Sequence, residues 1–392
     1  MLPVFAYRQV TDTPAVLFRV VNRVAIISMN RSDSLNVLSH DTVLVISALL
    51  RRCRTDSDIV AVVLRSSEGR AFCAGNNVVS LYESVVARNS KWKTFIADEY
   101  RLHYALHEFP KPVITLLDGA TFGSGMSLSQ GAWLRIVTER AKLTMTETRI
   151  GLVPNMGTSY FLKKTRVDSA LYLALTGAAL SAPGAIYMGL ADLCVSSQSL
   201  LTFEERLRKI PSSKLDPMFP DVMMKTLRAL FEEPGARVVP ETYVPHHALE
   251  PVMTHMRFIF DSRNSIEDIM SALGGAVVSE QDQVVRTWLS DTRDALLKRA
   301  PTMLYVAREM IIRGRQSSLR ECLRRELGVI TRCIEDGDFL EGVRAFMIDK
   351  DNQPKWAPHS LWEVREDRVQ HYLRSPWNAT NHLFNDVEVH YP

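Results

Sequence analysis

The chain has 392 residues, 46% of them hydrophobic, with a formal net charge of +3. That is enough for one large core with a smaller addition, and no apolar run reaches the length of a membrane span. The small positive balance permits an anionic partner without requiring one, and five cysteines (Cys53, Cys73, Cys194, Cys322 and Cys333) with no paired zinc spacing or disulfide lattice fit a reducing compartment.

The first nineteen residues carry Arg8 and Arg19 but no long apolar stretch before a small-residue cleavage site, which argues against secretion. A short mitochondrial presequence fits the arginines, while Asp12, Pro3 and Pro14 weaken it. The glycosylation triplet at 378–380 is expected to go unused outside the secretory route. Residues 15–20 and 24–29 read as a hairpin around Asn22 and Arg23. Ser39 is a cap for a helix over 40–52, and 59–64 is apolar enough for a strand covered on both faces. A polar turn then leads into Ala71-Phe72-Cys73-Ala74-Gly75-Asn76-Asn77. The order repeats with a helix at 99–107 and a strand at 113–117, followed by turns at Asp118-Gly119 and Gly123-Ser124-Gly125. A helix through Trp133 and Ile136, a strand over 140–145, Glu147 and a Gly/Pro bend over 151–157 complete this half. The repeat predicts a layered α/β fold whose turns line one sheet edge.

Beyond it, 200–210 reads as a short helix and 211–220 as a connection. The prolines at 240, 245 and 251 predict loop over 234–251. Helices are expected at 265–273, capped by Asn264, and at 279–290, 302–313 and 317–335. The resulting division is a core over 15–210, an irregular connection over 211–253, a helical domain over 254–350 packed on the core, and an extension over 351–392. Trp377, Phe384 and Tyr391 lie in that extension, which is expected to be loose or held by a partner.

The stretch from 113 to 161 is the chemically suggestive one. A strand delivers a bend to a helix N-terminus, where backbone N–H groups receive negative charge. One acid and two glycine-lined bends are the material of an acyl-group site; each glycine alone also serves merely to turn the chain. Glu99, beside Arg101 on a helix, fits a solvated face. Asn155 fits a residue that satisfies a turn, and Cys73 a small packing residue. His103 and His107 share a helix face but lack a third metal ligand.

Three motifs, Ala71-Phe72-Cys73-Ala74-Gly75, Gly123-Ser124-Gly125 after Asp118-Gly119, and 146–154, resemble the signature loops of the crotonase or enoyl-CoA hydratase superfamily. Asp98-Glu99-Tyr100, Glu341-Gly342-Val343-Arg344-Ala345 and Pro354-Lys355-Trp356 resemble its 3-hydroxyisobutyryl-CoA hydrolase branch, and the likeness covers roughly residues 15–370. The resemblance implies a crotonase-like spiral of β-β-α units with a helical C-terminal domain. It also implies a CoA ester as substrate, cleaved to acid and CoA, with no metal and no cofactor. By position it gives the backbone N–H groups of Asn76 and Ser124 as oxyanion donors, Glu99 as a substrate contact and Glu147 as the catalytic glutamate. Asn155 falls where the branch has a catalytic aspartate.

Four departures bear on that expectation. Asn76-Asn77 replaces Gly-Asp, Ser124 a central glycine, Asn155 an acid, and Gly157-Thr158 a glycine pair. An amide neither takes nor gives a proton as a carboxyl does, and side chains at 76 and 124 restrict space and backbone. A basic series, Lys298, Arg299, Arg308, Arg313, Arg315, Arg320, Arg324, Arg325 and Arg332, further fits phosphate contact, with Arg320, Arg324 and Arg325 as the candidate RNA contacts; an ordinary charged surface accounts for the series too, and contact with CoA phosphates is the other alternative. Together these favour a catalytically weakened relative, a pseudoenzyme serving as a structural component of the mitochondrial small ribosomal subunit beside ribosomal proteins and rRNA. The alternative is an active mitochondrial 3-hydroxyisobutyryl-CoA hydrolase of valine breakdown.

Overall fold

The computed structural model describes residues 14–232, 245–378 and 380–385. They fall into two compact units. The first takes its residues from Met1–Asn76, Ala105–Leu143 and Leu180–Tyr243, the second from Asn77–Tyr104, Thr144–Ala179 and Val244–Pro392.

In the first unit the strands are β1 (Val16–Val21), β2 (Val24–Met29), β3 (Ala61–Ser66), β4 (Ala71–Cys73), β5 (Val113–Leu117), β6 (Ala120–Phe122), β7 (Leu134–Thr138), β8 (Lys142–Thr144), β9 (Leu180–Ser181) and β10 (Leu193–Val195). They form a six-stranded sheet ordered β1-β2-β3-β5-β7-β10 and a four-stranded sheet ordered β4-β6-β8-β9. The β1–β2 hairpin is antiparallel, and β2, β3, β5, β7 and β10 run parallel. Each repeat therefore places a long strand in one sheet, a short strand in the other and then a helical segment, which is the expected β-β-α spiral. Every residue of β2, β5, β7 and β10 is buried, as parallel strands covered on both faces require. Ser39 caps the helix His40–Thr55 by accepting the Thr42 N–H.

One element differs from the sequence reading. The helix that starts at Ser124 ends at Gln130, and Ile136 lies in β7 rather than on a helix. Trp133 donates its N–H to Val113 O, so pairing with β5 begins there. The three-residue spacing of Trp133 and Ile136 imitates a helical stripe, but the apolar run Leu134-Arg135-Ile136-Val137 is a buried central strand. Its one charge, Arg135, is matched bidentately by Asp192 at 2.9 and 2.7 Å. Within 200–210, a 3-10 turn at Ser197–Leu201 precedes a short α-helix at Phe203–Arg208.

In the second unit the helices Ile266–Ser279, Gln283–Leu297, Pro301–Gly314 and Leu319–Asp336 stand where helices were expected, with shifted ends. Ser265, not Asn264, caps the first through a reciprocal bond with Asp268. The Asn264 amide instead closes the preceding helix by donating to Phe258 O and Ile259 O. Two segments of the expected irregular connection are helical, Pro220–Ala229 in the first unit and Pro245–Ile259 in the second. Each begins on a proline, which suits a first helical position because no N–H partner is needed there. Residues 233–244 lie outside the described chain.

Where it is described, the extension is held against its own unit as far as Asn385. Phe384 is fully buried, with its ring edge-on to Tyr104 at 5.7 Å and Tyr100 at 6.5 Å. Arg101 donates to Leu383 O at 3.0 Å, and Arg324 donates to Asn385 Oδ1. Tyr391, Ala379 of the glycosylation triplet and the residues up to Thr13, on which the presequence reading falls, lie outside the described residues.

Candidate active site

In the first unit the two glycine bends meet. Gly75 has φ +91°, and a side chain there would stand 3.2 Å from Phe122 O and 3.6 Å from Ser124 N. The bend that carries Asn76 thus runs directly against the start of the Ser124–Gln130 helix. Gly125 admits nothing larger, since a Cβ would lie 2.1 Å from Cys73 O. These glycines do more than turn the chain: they let two backbones touch. Asn76 bridges to Leu38, and Ser124 is buried. Asp118, in the turn before, is fixed by Thr138 Oγ1 at 2.7 Å and by the Arg140 guanidinium.

Glu147 belongs to the second unit. It opens a 3-10 turn, Glu147–Ile150, that closes on Gly151 at φ +73°. The turn is braced by the Glu341-Gly342-Val343 segment: Cβ atoms at Gly151 and Gly342 would fall 2.4 Å from the backbones of Asp338 and Ile150 respectively. Arg344 holds that segment by pairing with Glu341, Asp349 and Asp351. The Glu147 carboxyl is buried, and its Oε2 has no hydrogen-bond partner among the described residues. Burial pushes the carboxyl up to about 7, its own backbone N–H pulls it down, and the charge of Glu326 raises it further. Such a group exchanges a proton near neutral pH.

Asn155 is also buried and is engaged in its own loop. Its Nδ2 donates to Val153 O at 3.0 Å, and its backbone carbonyl accepts from Thr158 Oγ1 at 2.6 Å. The next two residues, Met156 at φ +57° and Gly157 at φ +91°, both lie in the left-handed region. For a methionine that conformation is uncommon and must be held from outside.

Glu326 holds it. This side chain is fully buried; its Oε2 accepts the Gly157 N–H at 2.5 Å, and its Oε1 accepts the Ser159 N–H at 2.9 Å. The Ser159 hydroxyl also donates to Oε1, at 2.5 Å. Burial pushes Glu326 up to about 7, against these donors and Arg325. The motif reading missed this residue, although Leu319, Cys322, Leu323, Leu327, Ile330 and Ile334 place position 326 on the buried face of its helix.

Glu99 is not on a solvated face. It is fully buried, 3.7 Å from Nε2 of the equally buried His103, while its neighbour Arg101 pairs with Asp98 at 2.8 Å. Among the candidate RNA contacts, Arg324 is bonded to Asn385 and Arg325 donates to Ser317 Oγ at 2.8 Å; Arg320 has an interaction within the chain as well. All five cysteines are buried and none forms a disulfide, Cys73 included. No cluster of three or more metal-ligating side chains and no membrane-spanning helix occurs among the described residues.

The sequence model of the enoyl-CoA hydratase/isomerase family matches residues 24–373. The chain belongs to that family. It is 30% identical to a mitochondrial 3-hydroxyisobutyryl-CoA hydrolase of Rattus norvegicus, over 93% of this chain and 90% of the relative. It is 31% identical to 3-hydroxyisobutyryl-CoA hydrolase 1 of Arabidopsis thaliana, over 91% of each chain. Among solved structures, an enoyl-CoA hydratase from Rhodobacter sphaeroides superposes with a TM-score of 0.77 at 28% identity, covering 93% of this chain and 98% of the other. A carnitinyl-CoA dehydratase from Mycobacterium thermoresistibile gives 0.76 at 27% identity, covering 95% and 99%. The fold is the α/β crotonase-like one with a helical C-terminal region, and the family acts on CoA esters.

Proposed function

We propose that the chain is a CoA-thioester hydrolase acting on 3-hydroxyisobutyryl-CoA or a close relative of it, and that it works in the mitochondrion. The observation that carries this reading is Glu147: a buried carboxyl with an unpartnered oxygen and a proton affinity near neutrality. A residue kept only as a brace gains nothing from a buried, unpaired polar atom, which is destabilising. The hydrolase names of relatives aligned over about nine-tenths of the chain support the same reading. The reading reverses the preference for a ribosomal scaffold.

In this mechanism ionised Glu147 takes a proton from water as the water oxygen attacks the thioester carbonyl. The C–S bond then breaks, and the same proton passes to the departing CoA sulfur, leaving the free acid and CoA thiol. The backbone N–H groups of Asn76 and Ser124 take the role of donors to the oxyanion, a role that needs no particular side chain at either position. Asn155 holds its loop and moves no proton.

The test is release of free CoA thiol from 3-hydroxyisobutyryl-CoA by the purified chain. Turnover is expected, with a loss of about 100-fold or more in Glu147→Gln, the usual effect of removing an essential acid-base group. A wild-type chain with no turnover contradicts the proposal. The scaffold reading keeps one observation in its favour, the amide at Asn155 bonded to Val153 O. It predicts an inactive chain that sediments with the small ribosomal subunit and loses that association when Arg320, Arg324 and Arg325 are neutralised.

A further inference from the structure

Residues four apart share one face of a helix, and Arg324, Gly328, Arg332 and Asp336 form such a row on the helix Leu319–Asp336. The end of the chain runs antiparallel along that row. Tyr372 Oη donates to Asp336 O at 3.3 Å, Arg332 Nε donates to Arg374 O at 3.5 Å, and a Cβ at Gly328 would stand 3.3 Å from Pro376 Cδ. At Arg324 the segment crosses to a second helix, Lys91–His107. Arg324 donates to Asn385 Oδ1, Arg101 donates to Leu383 O at 3.0 Å, and Phe384 buries its ring against Tyr100 and Tyr104. These contacting residues all belong to the second unit, and those from 374 onward lie past the end of the family match at 373.

The crossing depends on one imidazole. His382 is buried and both its ring nitrogens are engaged: Nδ1 accepts the Phe384 N–H at 3.1 Å, and Nε2 lies 3.2 Å from Arg324 O. A backbone N–H only donates and a carbonyl only accepts, so the ring is neutral with its hydrogen on Nε2. A proton added at Nδ1 sets two donors face to face. We propose that residues 374–378 and 380–385 form a strap joining the two helices, and that His382 is its latch, closed in the neutral form and opened by protonation. The charged groups around the ring act in the same direction. Arg324 and Arg320 on the Leu319–Asp336 helix oppose a positive ring, and Arg101 on the other helix is paired with Asp98. Burial first, and then these two arginines, pull the imidazole down from 6.5 to about 4, against its bond to Arg324 O. The open strap therefore takes up the proton more readily than the closed one. Closure is at full strength above the open-state value of 6.5, weakens as pH falls, and reaches its minimum below about 4. The joined helices carry Glu99 and Glu326, so the strap holds the backbone of both buried carboxyls.

The experiment is amide hydrogen exchange on the full chain at about pH 7.5 and about pH 5, corrected for intrinsic exchange rates, in wild type and His382→Asn. With the His382 shift, protection of residues 380–385 in wild type is expected to fall about thirtyfold at the lower pH. The amides of Val329–Ile334, inside the neighbouring helix, are expected to keep theirs. Asparagine accepts an N–H two residues along through Oδ1 and does not titrate. Protection in His382→Asn is therefore expected to stay within about threefold between the two pH values. Equal protection of wild type at both pH values overturns the proposal, and so does a wild-type-sized fall in His382→Asn. Nitrogen NMR of the histidine-labelled wild-type chain gives a second readout that stands if His382→Asn fails to fold. Near pH 7.5 the His382 Nδ1 is expected to be unprotonated and Nε2 protonated; the reverse tautomer or a charged ring overturns the latch.

Discussion

At Asn155 an amide stands where the family resemblance places a carboxyl, and its N–H is committed to Val153 O. Aspartate there trades that donor for a second acceptor facing a carbonyl. Asn155→Asp is therefore expected to destabilise the fold by roughly 1 to 3 kcal/mol at pH 8. At pH 5 the loss is expected to be smaller, because a protonated carboxyl donates to the same oxygen. The folded-state proton affinity of the new acid is raised, so stability is kept below its unfolded value and lost as pH rises through the folded one. Denaturant unfolding at the two pH values checks this, and equal losses contradict it. The same sign governs Glu147, raised from 4.5 to about 7. Its burial in charged form costs roughly 3 kcal/mol of stability, absent at low pH and complete above neutrality. Glu147→Gln is thus expected to match wild type near pH 4 and to exceed it in stability at pH 8, in the same unfolding assay. The glycines, Glu147 and Asn155 were legible in the sequence because local motifs announce them. Glu326 was not, since its partners lie more than 160 positions away and only its place in an apolar stripe marks it.

Among the elements, those with a local chemical signature matched their reading best. Ser39 and the β1–β2 hairpin are examples, and so is the helix Leu319–Asp336, which opens on a reciprocal Ser318–Glu321 cap. Ser318→Ala is expected to cost about 1 kcal/mol in stability, measured by thermal or denaturant unfolding, because it removes the acceptor for the Glu321 N–H. β7 was misread because a buried central strand and a helix share apolar spacing over four residues, and only its pairing with β5 and β10 separates them. The C-terminal segment was misread for a similar reason: three aromatics among polar residues do not reveal their receptor. The receptor for Phe384 is the pair Tyr100 and Tyr104. Phe384→Ala is expected to lower stability by about 3 kcal/mol and to expose the segment from 373 onward to limited proteolysis. Unchanged stability and protection contradict that docking.

For the whole molecule, the spiral and the family were legible because each β-β-α repeat carries its own turn signature and the C-terminal motif pins the turn after Glu147. Function was less so. Substitutions at 76, 124 and 155 suggest lost chemistry when taken as letters, but in the proposed mechanism the first two positions act only through backbone N–H groups, and the side chain of the third makes a loop bond. What remains is one acid whose environment sets its proton affinity near 7. The most direct measurement is therefore the pH dependence of thioester turnover by the intact wild-type chain. On the proposal that ionised Glu147 is the acting base, kcat/KM for 3-hydroxyisobutyryl-CoA is expected to rise about tenfold per pH unit below the midpoint and level off above about pH 7. Any residual rate in Glu147→Gln is expected to lack that inflection. A profile with no inflection near neutrality, or one that Glu147→Gln reproduces, contradicts the account.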